Sequence, residues 1–210
     1  SAWAANDWVL GVAGWYHEDF EDTNLAPHLL VGWETGAGNL APAVTLPNVF
    51  DPTNDAYGTA FQGALWDGSH GLLNTRDNQS HDYTDAAQWG DTVLQFSVPM
   101  RAVAFSVQQM ELDARLVING ADYGALTRLA GLDLAKGREG YVRIEATGTN
   151  AITSIKLDNA WGDGFVLDHL VYAPAGVLAG GVAGIVVREY ASVMDPVLLS
   201  FAPGGTLFAG

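Results

Sequence analysis

From Thr92 onward, apolar and polar positions alternate with the period of a β-strand, in which successive side chains point to opposite faces. "TVLQFSV" (92–98) sets Leu94, Phe96 and Val98 against Val93, Gln95 and Ser97. "RAVAFSVQ" (101–108) groups Val103, Phe105 and Val107, with small residues between. Pro99 and Met100 stand between the two, and a proline there is expected to break the ladder. "ARLVI" then runs into Asn119-Gly120, the strongest short hairpin signal, because both central residues of a type I′ turn need positive φ. "GYVRIEA" (140–146) alternates again, and "TGTN" (147–150) turns the chain into "AITSIKL" (151–157).

The next run, "NAWGDGFVLDHLVYAP" (159–174), predicts a strand buried on both faces. Strict alternation puts Phe165, Leu167, His169 and Val171 on one side, and Val166, Asp168, Leu170 and Tyr172 on the other. Asp168 is then a carboxylate inside an apolar strand, which is costly unless it is paired, hydrogen-bonded or bound to a metal. His169 reads as a packed core or rim histidine.

The first 90 residues follow a different pattern. "WVLGVAG" (8–14), "LLVGW" (29–33) and "TAFQGALW" (59–66) are short apolar pieces separated by long polar stretches. Pro27, Pro42, Pro47 and Pro52 interrupt any long helix or central strand. Strands joined by long ordered loops are expected here, and such loops often carry binding residues. At the other end, "GVLAGGVAGIVV" (176–187) is far shorter than the about 20 apolar residues of a membrane-spanning helix, so no transmembrane segment is expected. "VLLSFAPGGTLFAG" reads as strand, turn, strand. The chain divides into a β-sandwich domain over 1–173 and an apolar Gly/Ala-rich tail over 174–210. The tail is either an extra hairpin or the start of a further module.

Composition narrows the partners. The net charge is −15, of which residues 1–90 carry −11, with Arg76 their one basic residue. Nucleic acid and anionic membrane surfaces are therefore poor partners for the chain as a whole, and no nucleic-acid partner is expected. Cysteine is absent, which removes disulfides, thiolate metal sites and a cysteine nucleophile. The opening "SAWAAND" suits a product left by signal cleavage or a trimmed chain, and a secreted or cell-surface protein is the expectation.

"HEDFE" (17–21) lacks the second histidine of a zinc-protease helix, "GSHG" (68–71) is not a nucleophile elbow, and no phosphate-binding glycine loop is present. "WDGSHGLLNTRDNQSHDYTDAAQWGD" (66–91) is both polar and punctuated by aromatic residues. Trp66 and Trp89 offer faces for sugar C–H groups, and Asp67, His70 and Arg76 offer hydrogen bonds to hydroxyls. The other reading of this stretch is an ordered loop whose tryptophans plug a sandwich edge.

The acidic "HEDFEDTNLAP" (17–27), the hairpin series 92–157 and the closing "DGFVLDHLVY" (163–172) follow the order of a known pattern. Together they resemble the jelly-roll domains of extracellular carbohydrate-binding modules, and similar secreted bacterial domains found with cell-surface sorting signals. The resemblance spans about 17–173. It implies an all-β jelly-roll β-sandwich and a structural Ca²⁺, with Glu21 and Asp168 as ligands, Asp163 beside them, and Glu18 or Asp22 as additions. Ca²⁺ takes roughly six to eight oxygens, so backbone carbonyls would complete the set. Asp168 bonded to backbone amides of a neighbouring loop, or paired with Arg or Lys, remains the alternative.

The expected function is a non-catalytic module that binds polysaccharide or another glycan. The alternative is a structural or assembly subunit of an extracellular polymer or surface layer, self-associating through 176–210. A polysaccharide hydrolase or lyase is the third reading, and hydrolysis would need two carboxylates at a set separation.

Overall fold

The protein is represented by a computed structural model. It describes residues 14–34, 49–50, 69–74, 89–108, 110, 113–126, 140–147, 150–158, 164–175, 184–189, 197–201 and 207–209. These residues form thirteen antiparallel strands on one hydrogen-bonded network. The first seven are β1 (Tyr16–Glu18), β2 (Leu29–Glu34), β3 (Val49–Phe50), β4 (Gly71–Leu73), β5 (Asp91–Gln108), β6 (Arg115–Ile118) and β7 (Ala121–Ala125). The remaining six are β8 (Gly140–Thr147), β9 (Ile152–Asp158), β10 (Val166–Pro174), β11 (Gly184–Glu189), β12 (Val197–Phe201) and β13 (Leu207–Ala209). The all-β class is therefore as the alternation predicts.

The expected break at Pro99 does not occur, because 91–108 is one strand of 18 residues that changes partners along its length. Its first half lies between β2, paired from Leu29↔Phe96 to Glu34↔Asp91, and β9, paired from Thr92↔Leu157 to Gln95↔Ser154. Its second half lies between β10 and β8. The β9 register jumps from Gln95↔Ser154 to Met100↔Ile152, so Pro99 falls where the ladder has already stepped aside and no strand N–H is required of it. The Pro99 carbonyl instead accepts the Ala175 N–H at 2.8 Å.

Against β10, Met100 and Ala102 face Pro174 and Ala173, which leaves Arg101 as an inserted residue. That insertion switches the inward parity of β5. Leu94 and Phe96 point into the core from the first half, and Val103, Phe105 and Val107 from the second, with Met100 between them. One apolar cluster thus gathers side chains from both halves of β5, with Leu116, Ile118, Ile155 and Leu157 on one side and Val142, Ile144, Leu167 and Tyr172 on the other.

The β6–β7 turn is the one expected. Asn119 and Gly120 have φ of 51° and 80°, and Ile118 pairs with Ala121 across them. The tail strands join the same network: β11 pairs with β8 from Gly184↔Thr147 to Glu189↔Val142, β12 pairs with β11, and β13 with β12. Among the described residues no helix is long and apolar enough to cross a membrane.

Candidate functional site

Asp168 is fully buried, and its Oδ1 accepts the N–H of the next residue, His169, at 2.7 Å. This arrangement belongs to a β-bulge. Three steps along β10, from Asp168 to Val171, match two along β5, from Ser106 to Ala104, and His169 takes a left-handed φ of 50°. The Ser106 hydroxyl donates to the Asp168 carbonyl at 3.0 Å and fixes the strand just before the bulge.

The bulge corrects the predicted faces. Phe165 and Leu167 share the core with Leu170 and Tyr172, because the inserted residue shifts every later side chain to the other face. Asp168 stands on the opposite face, beside Ser106 and on the same side as Val171, Ala104 and Arg143. His17 lies opposite Val171, with its ring 5.2 Å from that of His169. Arg143 is ion-paired with Glu145 and lies 5.8 Å from the Trp15 ring centroid. This second face is therefore polar as well as buried.

Glu21 and His70, assigned by sequence to different sites, are in contact. The Glu21 Oε1 accepts the backbone N–H groups of Ser69 at 2.6 Å and His70 at 2.8 Å. Its Oε2 accepts the Ser69 hydroxyl at 2.9 Å and lies 3.1 Å from the His70 Nδ1. Partial burial would raise the Glu21 pKa, but the amides of His70 and Ser69 outweigh it and hold the carboxyl below its ordinary value. Ser69, His70 and Glu21 do not form a nucleophilic triad. The Ser69 Oγ, at 2.8 Å, and the Glu21 Oε2 meet the same ring nitrogen, whereas a proton relay uses both nitrogens of the imidazole.

Glu18 has a parallel role one strand end away. Its two oxygens accept the N–H groups of Phe20 at 2.8 Å and Ala26 at 2.6 Å. Burial pushes its carboxyl above the ordinary range, against the lowering effect of those two amides.

Asn74, immediately after β4, belongs to the polar stretch 66–91, and its partners are not visible in the sequence. It is 1% exposed, and its side-chain Oδ1 accepts the Phe165 N–H at 2.8 Å while its Nδ2 donates to the Gly90 carbonyl at 3.0 Å. Its backbone N–H donates to Phe165, and its carbonyl accepts from Gly90 and from the Trp33 indole. The chain that leaves at Asn74 and returns at Gly90 is thus closed at its base by two hydrogen bonds between those residues. A strand-ending asparagine is the one local signal available, and it does not identify partners 16 and 91 residues away.

Trp89 is 7% exposed, and its six-membered ring packs so closely on Gly164 that a Cβ there would lie 2.8 Å from it. The ring is thereby packed against the backbone just ahead of β10. Trp66, Asp67, Arg76 and Asp163 lie outside the described residues.

Calcium fits Glu21 poorly, because N–H and O–H donors already converge on both of its oxygens, whereas Glu18 accepts one amide on each oxygen and Asp168 one on Oδ1. Among the described residues no group of three or more His, Asp or Glu side chains is placed to hold a metal. Comparison with protein-family models, curated proteins and solved structures finds no match for the chain.

Proposed function

We propose that this chain is a non-catalytic, secreted or cell-surface binding module of jelly-roll type, which takes a polyhydroxylated ligand, a polysaccharide or glycan, on the segment between β3 and β5. The observation that carries this reading is the closure at Asn74. A loop whose two ends are hydrogen-bonded to each other on a rigid sheet is a favourable platform for binding residues, since it limits the entropy lost when a ligand orders it. The segment so closed, 75–88, carries Arg76, Asp77, His81 and Asp82, and Trp66 and Asp67 precede the described part of its lead-in. With Trp89 buried, ligand contact falls to Trp66, Asp67, His70 and Arg76.

Among the described residues, three buried or partly buried carboxylates favour a binding role over hydrolysis. Glu18, Glu21 and Asp168 are engaged in holding backbone amides, which is structural use of groups that a hydrolase would keep for substrate. Calcium enters through the resemblance alone.

Retention on a panel of immobilised polysaccharides tests the proposal. Trp66→Ala and Arg76→Ala are expected to abolish retention with an unchanged melting temperature, whereas Trp89→Ala lowers the melting temperature. Failure of the wild type to be retained on any member of a broad panel would sink the reading.

One observation favours assembly as the second reading. The sheet continues past β8 through β11 and β12, and β13 pairs on one side only among the described residues. If the tail recruits a second copy by strand addition, sedimentation velocity will show oligomers that vanish on deletion of 176–210.

A further inference from the structure

We infer that residues 19–28 form a strap fastened without metal, and that the Glu21 carboxylate is its catch on the 69–70 backbone. The strap starts at the end of β1 and finishes at the start of β2, with Leu25 and Ala26 packed against the core. Its Phe20 is fully buried in the main apolar cluster, with a left-handed φ of 51°. A bulky aromatic residue rarely adopts that backbone, and it persists only where the surroundings over-determine it.

Three sets of hydrogen bonds supply that determination. Glu18 binds the N–H groups of Phe20 and Ala26 and so closes the strap on itself. At its far end, the Tyr172 hydroxyl donates to the Pro27 carbonyl at 2.7 Å, and the Ser97 N–H donates to the His28 carbonyl at 2.9 Å. Glu21 reaches across 48 and 49 residues of sequence to Ser69 and His70.

That contact does the electrostatic work that a cation would do. Two backbone amides and a hydroxyl converge on one carboxylate and satisfy its charge with positive hydrogens. A carboxylate presenting its lone pairs to Ca²⁺ would have to release those donors. The position to which the resemblance assigns a metal ligand is thus filled by the chain's own backbone.

The catch also has a mechanical consequence. Ser69 and His70 lead directly into β4, whose Gly71 lies against Val166 and Asp168, and Asn74 follows two residues beyond the strand's centre. Release of Glu21 frees the lead-in to β4 while Glu18, Tyr172 and Ser97 still hold the strap. The inference is independent of whether the neighbouring segment binds a glycan.

Amide hydrogen exchange of the full chain, followed residue by residue, tests it in EGTA and in millimolar CaCl₂. In the wild type, Ser69 and His70 are expected to exchange slowly and at the same rate in both conditions. In Glu21→Gln and Glu21→Ala their exchange accelerates by about tenfold or more, as the loss of charge-assisted hydrogen bonds requires. The amides of Phe20 and Ala26, held by Glu18, change by less than about threefold on the same grounds. Slowing of Ser69 and His70 by CaCl₂, or acceleration by EGTA, would overturn the metal-free catch. Wild-type rates in both Glu21 variants would show that the carboxylate is not the catch.

Discussion

Asn119 and His169 hold almost the same left-handed backbone, with φ of 51° and 50°, and are kept there by opposite means. Asn119 sits in an exposed two-residue turn, where glycine follows and where its own side chain stabilises the conformation. Its Oδ1 accepts the Thr153 N–H at 2.8 Å, the Thr153 hydroxyl at 3.0 Å and the Ser154 N–H at 3.2 Å, while its Nδ2 donates to the Ala151 carbonyl at 2.7 Å. His169 is buried inside β10, no glycine adjoins it, and the group that holds its N–H is the carboxylate of the residue before it. Asparagine tolerates left-handed backbone intrinsically, whereas histidine at such a position must be forced by its neighbours. One irregularity is therefore specified by turn chemistry. The other is specified by a sheet that needs one residue more on β10 than on β5.

The largest expected effect is at the bulge. Asp168→Ala removes the acceptor of a buried amide and leaves a void in a closed face, so a loss of about 3 kcal/mol is expected from the urea midpoint. Asp168→Asn keeps a carbonyl oxygen for the His169 N–H, and is expected to lose about half as much. Equal losses would show that the charge, rather than the acceptor, holds the bulge. Gly71→Ala comes next. Its backbone is not left-handed, but the added Cβ would lie 2.6 Å from the Val166 Cγ1 and 3.8 Å from the Asp168 Cβ. Overpacking there is expected to cost about 2 kcal/mol in the same titration. A near-neutral Gly71→Ala would mean that β4 can move away from the bulge, and that the constraint is looser than described.

The same contrast explains what was legible in the sequence. The 119–120 turn and the strands β2, β6, β8 and β9 could be read because period and turn residues are local signals. The strand containing Asp168 was found, but the side-chain faces after it were not. A bulge is dictated by the partner strand, and nothing in "VLDHLV" marks where the extra residue falls. β4 is three residues long and shows too little alternation to register. The break expected at Pro99 does not occur, because the pairing with β9 steps out of register around it. Of the candidate site, Asp168 stood out because a carboxylate in an apolar run demands a partner, and the contact its Oδ1 makes is with the N–H of the next residue in the same strand, not with a neighbouring loop. The contacts of Glu21 with His70 and of Asn74 with Phe165 join residues 49 and 91 apart, and such pairings are products of the fold.

At the turn the expected effects are smaller and can be separated into parts. Asn119→Ala loses both the left-handed tolerance and the bonds to the 151–154 backbone, for an expected cost of about 1.5 kcal/mol in exposed surroundings. Asn119→Gly restores the backbone freedom alone, so about half of that loss should remain. If Asn119→Gly is as costly as Asn119→Ala, the side-chain bonds are the whole effect and the left-handed backbone is incidental.

Gly120→Ala isolates the remaining part and is the smallest effect expected. Gly120 has a φ of 80°, and nothing lies within 4 Å of where its Cβ would be. The substitution meets no side chain, so its cost is the backbone strain of an L-residue in left-handed geometry, about 1 kcal/mol. Gly120→Asn should cost less, because a short polar side chain eases the same strain. Side by side in one set of thermal melts, Gly71→Ala and Gly120→Ala compare a clash without strain to strain without a clash. A larger loss at Gly120 than at Gly71 would reverse the ranking and place the tighter constraint in the exposed hairpin. The expected order, Gly71 above Gly120, follows from close packing: neighbours around the bulge have nowhere to go, and an exposed turn can relax into solvent.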